Sequence, residues 1–440
     1  MLPAALLATS LALTSAQSAK IDAVVAQVMQ SSHIRGLSLG VARKGRTIFL
    51  RGYGTRDCTS PARADGYTVF RIGSITKQFT AALVMQEADR SALPLNAELD
   101  GITVVQLLSQ TSGLVSYTDP GQTLDSALNA PAQFPPGSRW QYSNSNYYLL
   151  GTALKSVTKQ SFAELLAERI TRPLHLTSTS FYPPLAQNVA QGCTWDGSAW
   201  QPAPSGPNDQ ADLASSASAM SSNVPDLLTW LWNLYDGNIV TPDSFDQMTT
   251  SWTLSDGTPT NYGFGFFTGK WYGLRIAQHT GYIDGFSGDD ALVLDDGTAF
   301  AVLSNADRVS LVPLVKSLVE IVEPLKDRSL VATLSQPGEF EDPAVTALVK
   351  TIVPQLASGN VDHSLLTTGL AISLDEGRLG EYERTLRPLG KLSQVLFNES
   401  TTVGSVTSDR YTLNFAHGQM SLTLSVSAGK IDALTLENGR

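Results

Sequence analysis

Phe70-Arg71-Ile72-Gly73-Ser74-Ile75-Thr76-Lys77-Gln78-Phe79-Thr80, continued by Ala81-Ala82-Leu83-Val84, is the most informative stretch of this chain. Its apolar run predicts a helix from Thr76 to Glu87 that is hydrophobic enough to be buried. Gly73 permits a tight strand-to-helix turn just ahead of it, which puts Ser74 at the helix opening. Residues three apart share a helix face, so Lys77 can reach the Ser74 hydroxyl. A serine hydroxyl is a weak nucleophile until a neighbouring base takes its proton. A helix N-terminus adds donors and positive potential where negative charge develops.

The spacing alone proves little, because 46 Ser and 11 Lys in 440 residues give about one Ser-x-x-Lys by chance. Two further matches, Ser156-Val157-Thr158-Lys159 and Ser427-Ala428-Gly429-Lys430, act as internal controls. Ser156 falls at the end of an apolar helix with no glycine ahead of it, and Ser427 opens a hairpin turn. Neither has the context of a nucleophile.

A Ser–Lys pair needs a second proton carrier and an oxyanion site. Trp140-Gln141-Tyr142-Ser143-Asn144 follows Pro136-Gly137 and precedes an apolar helix. Tyr142 and Asn144 are thereby expected on a loop, two residues apart and aimed into one cleft. Read alone, the same residues make an aromatic loop packed for stability. His279-Thr280-Gly281 closes the strand-like run from Ile276 and leads into Tyr282. A glycine there lets a substrate lie along the strand edge, and the next backbone N–H, that of Tyr282, can serve as an oxyanion donor.

Working outward, residues 20–32 space their apolar side chains on one helical face, and Leu37 to Ala42 and Thr47 to Tyr53 read as strands. Tyr147 to Val157 is helical; Ile276 to His279, Ala291 to Leu294 and Ala299 to Leu303 are short strand runs, with Asp295-Asp296-Gly297 closing a hairpin. Strands at both ends and helices between them predict an α/β (α+β) fold. One antiparallel sheet draws on sequence-distant segments, is flanked by helices that include Leu311 to Leu325, and is accompanied by a helical subdomain. A turn-rich acidic stretch, Gln336 to Pro343, marks a linker over residues 326–343. Beyond it, residues 344–440 read as a small α+β domain with a helix near Ala344 to Leu356 and strands at Tyr411 to Phe415, Ser421 to Val426 and Ile431 to Leu436.

A net charge of −10 offers no extended positive surface for a phosphate backbone, so nucleic acid is not an expected partner. Two Cys cannot build a Cys-rich zinc site, and His33, His175, His279, His363 and His417 lie far apart, so neither a metal nor another cofactor is expected. Residues 1–16 combine an uncharged apolar stretch with a small-residue end and read as a signal peptide. No other window is long and apolar enough to span a bilayer. The mature chain is expected to be secreted or periplasmic, without an integral membrane segment. In such a compartment Cys58 and Cys193 can form one intramolecular bridge, although nothing local brings them together.

The three ordered elements and their flanks resemble the serine β-lactamase and penicillin-binding protein superfamily, in its class C-like branch. Besides Ser74-x-x-Lys77, Tyr142-Ser-Asn144 and His279-Thr-Gly281, the segments Leu107-Leu-Ser-Gln-Thr-Ser-Gly-Leu114 and Pro136-Gly137 are similar. The resemblance covers residues 20–325, implies a β-lactamase/transpeptidase-like fold, and embraces DD-peptidases, esterases and D-amino-acid amidases. By it, Ser74 would be acylated, Lys77 would accept its proton, and Tyr142 would exchange protons with the leaving group and the deacylating water. Asn144 would orient the substrate, with His279, Thr280 and Gly281 along its edge and the N–H groups of Ser74 and Tyr282 as oxyanion hole. The substrate would be a small molecule or derive from peptidoglycan.

Three departures stand out. His279 stands where β-lactamases of this branch usually carry lysine, as in some DD-peptidases and esterases, and a partly neutral imidazole holds a carboxylate less firmly. The span from Ser74 to Tyr142 is short for the branch. Ala214 to Ser222 replaces a glycine-rich stretch. The functional expectation is an exported serine hydrolase of an amide, ester or lactam; the alternatives are a non-catalytic peptidoglycan or penicillin sensor on the same fold, or a biological role seated in the C-terminal domain.

Overall fold

A computed structural model of the chain describes residues 12–99, 101–117, 123–181, 188–203, 216–307, 309–323, 342–367, 370, 371, 374, 379–403, 406–427 and 430–438. Two compact units emerge, one from Met1–Thr194, Trp200–Asp307 and Leu314–Pro324, the other from Trp195–Ala199, Arg308–Pro313 and Leu325–Arg440. The expected linker, apart from Asp342 and Pro343, lies outside the described residues, as do residues 1–11 of the expected signal peptide.

The first unit is built on a six-stranded antiparallel sheet. Its strands are β1 (Gly36–Arg43), β2 (Arg46–Gly54), β3 (Phe267–Trp271), β4 (Leu274–Ile283), β5 (Phe286–Val293) and β6 (Ala299–Ser304), in the spatial order β2-β1-β6-β5-β4-β3. Leu37 pairs with Ser304 and Ala42 with Ala299, so the first strand is stitched to the last across more than 250 residues. Strands β5 and β6 are buried at every residue, which follows from cover on both faces and explains their lack of polar alternation. One face carries helix α1 (Ser15–Ser31), where Asp22 accepts from Tyr53 Oη at 2.8 Å. Gln17 Nε2 of the same helix donates to Ile321 O of the C-terminal helix Val312–Val322 at 2.9 Å.

The opposite face carries α2 (Thr76–Asp89) and the helix Val224–Tyr235, whose Val224 and Leu228 lie over Gly40. Phe79 stacks on Trp230 with ring centroids 4.1 Å apart, a contact that adds about 1 kcal/mol to the area both rings bury. Cys58 and Cys193 form the one disulfide, with Cα atoms 5.5 Å apart.

Two elements run differently from the expectation. Strand β4 does not stop at His279 but continues to Ile283, because β5 pairs with it along its length, Ile283 opposite Phe286. His279-Thr280-Gly281 is therefore mid-strand. Asn144 opens α3 (Asn144–Thr158) rather than sitting in the preceding loop.

The second unit has a meander of four antiparallel strands in sequence order, Leu392–Val403, Val406–Phe415, Gly418–Ser427 and Lys430–Asn438. Tyr411, Leu413, Leu422, Leu424, Ile431 and Leu434 bury one face of this sheet in a core shared with Val349, Ile352, Val353 and Leu356 of helix Pro343–Ser358. Tyr382 Oη donates to Leu434 O at 3.1 Å.

Candidate active site

Ser74 lies in a one-turn 3-10 segment, Gly73–Ile75, that runs directly into α2. Two glycines fix its place against β4. Gly73 has φ +51°, and a Cβ on it would sit 2.7 Å from Tyr282 N; a Cβ on Gly281 would sit 2.0 Å from Ile72 O. A left-handed residue and a bare strand edge are both needed for the turn to press this closely on the sheet. The contact brings Ser74 beside the backbone of Gly281 and Tyr282. Ser74 is partly exposed, whereas Lys77 is wholly buried.

Lys77 Nζ stands 3.0 Å from Ser74 Oγ, 2.7 Å from Asn144 Oδ1 and 2.8 Å from Ala217 O. The amide and carbonyl oxygens only accept, so they take two of its N–H bonds. The remaining direction points at the Ser74 hydroxyl. Burial drives the Lys77 pKa well below the ordinary lysine value. In the neutral state so favoured, the nitrogen lone pair faces the serine proton. Nζ also lies 4.8 Å from the Tyr142 ring centroid, which places Tyr142 beside the pair.

The loop bearing Tyr142 is held from behind. Gln110 Oε1 accepts from Ser143 N at 3.0 Å and from Asn146 Nδ2, Gln110 O accepts from Gln141 N at 2.9 Å, and Ser116 Oγ accepts from Asn144 N at 3.2 Å. These bonds account for the Leu107 to Leu114 segment noted in the sequence: it buttresses the loop.

His279 is buried, and its pKa is lowered to about 3, first by loss of solvation and then by the neighbouring Lys77. Its backbone N–H donates to Asp290 Oδ1 at 3.3 Å, which also accepts from Gln78 Nε2 at 2.6 Å; Gln78 Oε1 accepts from Trp230 Nε1 at 2.9 Å. A buried polar chain thus ties the residue next to Lys77 to the strand that carries His279. Burial raises the Asp290 carboxyl to about 7.

The structure brings Ser74, Lys77, Asn144, Tyr142 and the 279–282 strand segment to one place. Sequence reading missed the Ala217 carbonyl, Gln110, and the Gln78–Asp290–Trp230 chain. Only the last left a legible signal, the pair Asp289-Asp290 inside an otherwise apolar run. Residues 216–222 of the Ala214 to Ser222 stretch wall the lysine: besides Ala217, Ser216 O accepts from Thr80 Oγ1 at 2.6 Å and Met220 N donates to Thr76 Oγ1 at 3.3 Å. Among the described residues, no group of three His, Cys, Asp or Glu side chains is placed to hold a metal ion.

Comparison with known proteins fits this geometry. The family model described as Beta-lactamase matches residues 21–313. This chain belongs to the Beta-lactamase family. Among curated relatives of this family member, Protein flp of Staphylococcus aureus (strain N315) is 26% identical over 374 residues, covering 78% of this chain and 74% of flp. The octameric penicillin-binding protein homologue from Pyrococcus abyssi superposes with a TM-score of 0.61 at 18% identity, over 96% of this chain and 98% of its own. A β-lactamase/D-alanine carboxypeptidase from Pseudomonas syringae gives 0.61 at 20% identity, over 70% of this chain and all (100%) of that one. The last two establish the fold. Among the described residues, no helix is long and apolar enough to cross a membrane.

Proposed function

We propose that this chain is an exported serine hydrolase that cleaves an amide, ester or lactam through an acyl-enzyme on Ser74. The observation that carries the reading is the three-way setting of Lys77 Nζ, with two acceptors and the Ser74 hydroxyl at 2.7 to 3.0 Å. Ser74 Oγ attacks the carbonyl carbon and its proton passes to Lys77 Nζ. The oxyanion that forms is held by the N–H groups of Ser74 and Tyr282, and Asn144 orients the substrate. Collapse breaks the scissile bond, and the amine or alcohol leaves with a proton delivered through Tyr142. Water then attacks the ester, and Ser74 recovers its proton as the acid departs.

The disulfide and the apolar N-terminal stretch support a secreted or periplasmic location, since such bridges persist in oxidising compartments. Two probes test the chemistry: a fluorophosphonate adduct must map to Ser74 and vanish in Ser74→Ala, and the acyl adduct formed from an ester, amide or penicillin must decay with release of acid. Labelling that survives the substitution would falsify the assignment, and acyl adducts that never decay with any of these carbonyl substrates would mark a sensor instead.

A further inference from the structure

The surroundings of His279 point to the class of substrate, an inference that rests on the acyl-enzyme reading of Ser74. His279 Nδ1 lies 2.6 Å from Thr280 O, and Nε2 lies 3.2 Å from Tyr262 Oη. A carbonyl only accepts, so Nδ1 carries the hydrogen and Nε2 accepts from the phenol. Both nitrogens are consumed inside the protein, and the ring keeps no N–H for a ligand. Burial keeps Tyr262 a phenol by raising its pKa well above the ordinary value.

The neighbours of that ring are aromatic. Phe267 lies 5.2 Å from it, Tyr262 5.9 Å and Tyr142 6.1 Å, centroid to centroid. Tyr142 stacks nearly parallel to Phe267 at 6.4 Å, and Trp140 meets Phe267 edge-on at 6.1 Å. Trp140, Tyr142 and Phe267 are only partly buried, and the Tyr142 ring centroid lies 4.8 Å from Lys77 Nζ, so the wall adjoins the Ser74–Lys77 pair through Tyr142. The Lys77 amine already gives two hydrogens to Asn144 and Ala217. A carboxylate desolvated against this wall would lose water and find no donor from His279, whereas a neutral amide, ester or ring would not incur that cost.

We propose that Ser74 is acylated by neutral amides or esters that carry an aromatic or bulky apolar group, and that a free carboxylate next to the scissile bond counts against a substrate. The test uses the full chain and two matched pairs. One pair is acetyl-D-Ala-D-Ala as the free acid and as its C-terminal carboxamide; the other is p-nitrophenyl acetate and p-nitrophenyl phenylacetate, each rate divided by uncatalysed hydrolysis. The carboxamide and the phenylacetyl ester should each win in kcat/KM by at least about 10-fold. Phe267→Arg, at a partly exposed position, should raise the acid-to-carboxamide ratio by about 10-fold or more.

A free acid that equals or beats its carboxamide, or a ratio unmoved by Phe267→Arg, would overturn the inference while leaving Ser74 labelling intact. A Ser74 that takes no fluorophosphonate overturns the acyl-enzyme reading and this one with it. Should a labelled chain turn over none of the four, protection decides: the carboxamide must slow labelling more than the acid, and the reverse order sinks the proposal.

Discussion

Ser74–Lys77 and Ser156–Lys159 have the same spacing at opposite helix ends, and the amines do different things. At the N-terminal end of α2, Lys77 is buried and its Nζ meets the Ser74 hydroxyl at 3.0 Å. At the C-terminal end of α3, Lys159 takes a left-handed backbone conformation with φ 61°, and its exposed Nζ donates to the carbonyl of Ser156 at 2.7 Å, ignoring the hydroxyl. A cation at a helix C-terminus satisfies a carbonyl left over by the helix and complements the dipole. On the acyl-enzyme reading, what separates the two pairs is which end of the helix holds the serine and whether the amine is buried.

The largest test of that contrast removes each amine. Lys77→Ala should lower the second-order rate of fluorophosphonate labelling by about 1,000-fold or more, the scale of a lost general base. Lys77→Arg should be nearly as poor, because a guanidinium stays protonated. Lys159→Ala should label at the parent rate. Next in size, Tyr142→Phe should slow steady-state turnover of an amide by about 100-fold through loss of a proton carrier; an unchanged kcat would remove Tyr142 from the proton path.

The same contrast can be sharpened with pH. Neutral Lys77 is the competent form, so labelling should rise with pH through a limb set by its lowered pKa, below the ordinary lysine value of 10.5. His279, with a pKa of about 3, should add no limb near 6.5. A limb at 10.5 would contradict a buried, neutral amine.

Much of the first unit was legible because its elements announce themselves locally: the apolar run after Ser74, the β-prone run Thr47 to Tyr53, and the Asp-Asp-Gly turn. What escaped was set by partners distant in sequence. Strand β4 runs past His279 because β5 lies beside it, and Asn144 joins a helix because Ser116 caps its N–H. That Ser74, Lys77, Tyr142 and Asn144 come together could be expected from motif order, yet the Ala217 carbonyl beside them could not, since a main-chain acceptor leaves no residue type to read.

Asp290 gives a smaller effect with a definite sign. Its carboxyl is raised to about 7 in the folded chain by burial, from 3.8. Between those values the native state holds a proton that the unfolded state has released, so this stability is full below 3.8 and is lost as pH rises through 7. Asn at this position keeps acceptors for Gln78 and the His279 N–H but cannot titrate. The Tm of the parent minus that of Asp290→Asn should therefore fall steadily from pH 4 to pH 8. A flat difference would mean that Asp290 is already ionised in the native state.

The smallest effect lies at the control site. Ser156 and Lys159 are exposed, and the Lys159 amine contacts the Ser156 carbonyl rather than its hydroxyl. Ser156→Ala removes a hydroxyl from a helix that tolerates alanine well, so stability should change by no more than about 0.5 kcal/mol in urea melts. Lys159→Ala loses the carbonyl contact but also the side-chain entropy spent on making it, and falls in the same range. Lys159→Gly should do better than Lys159→Ala, because glycine enters the left-handed cap conformation without the steric cost that alanine bears there. If alanine proved the more stable of the two, the backbone at Lys159 would not be left-handed in solution, and the second half of the comparison would have to be redrawn.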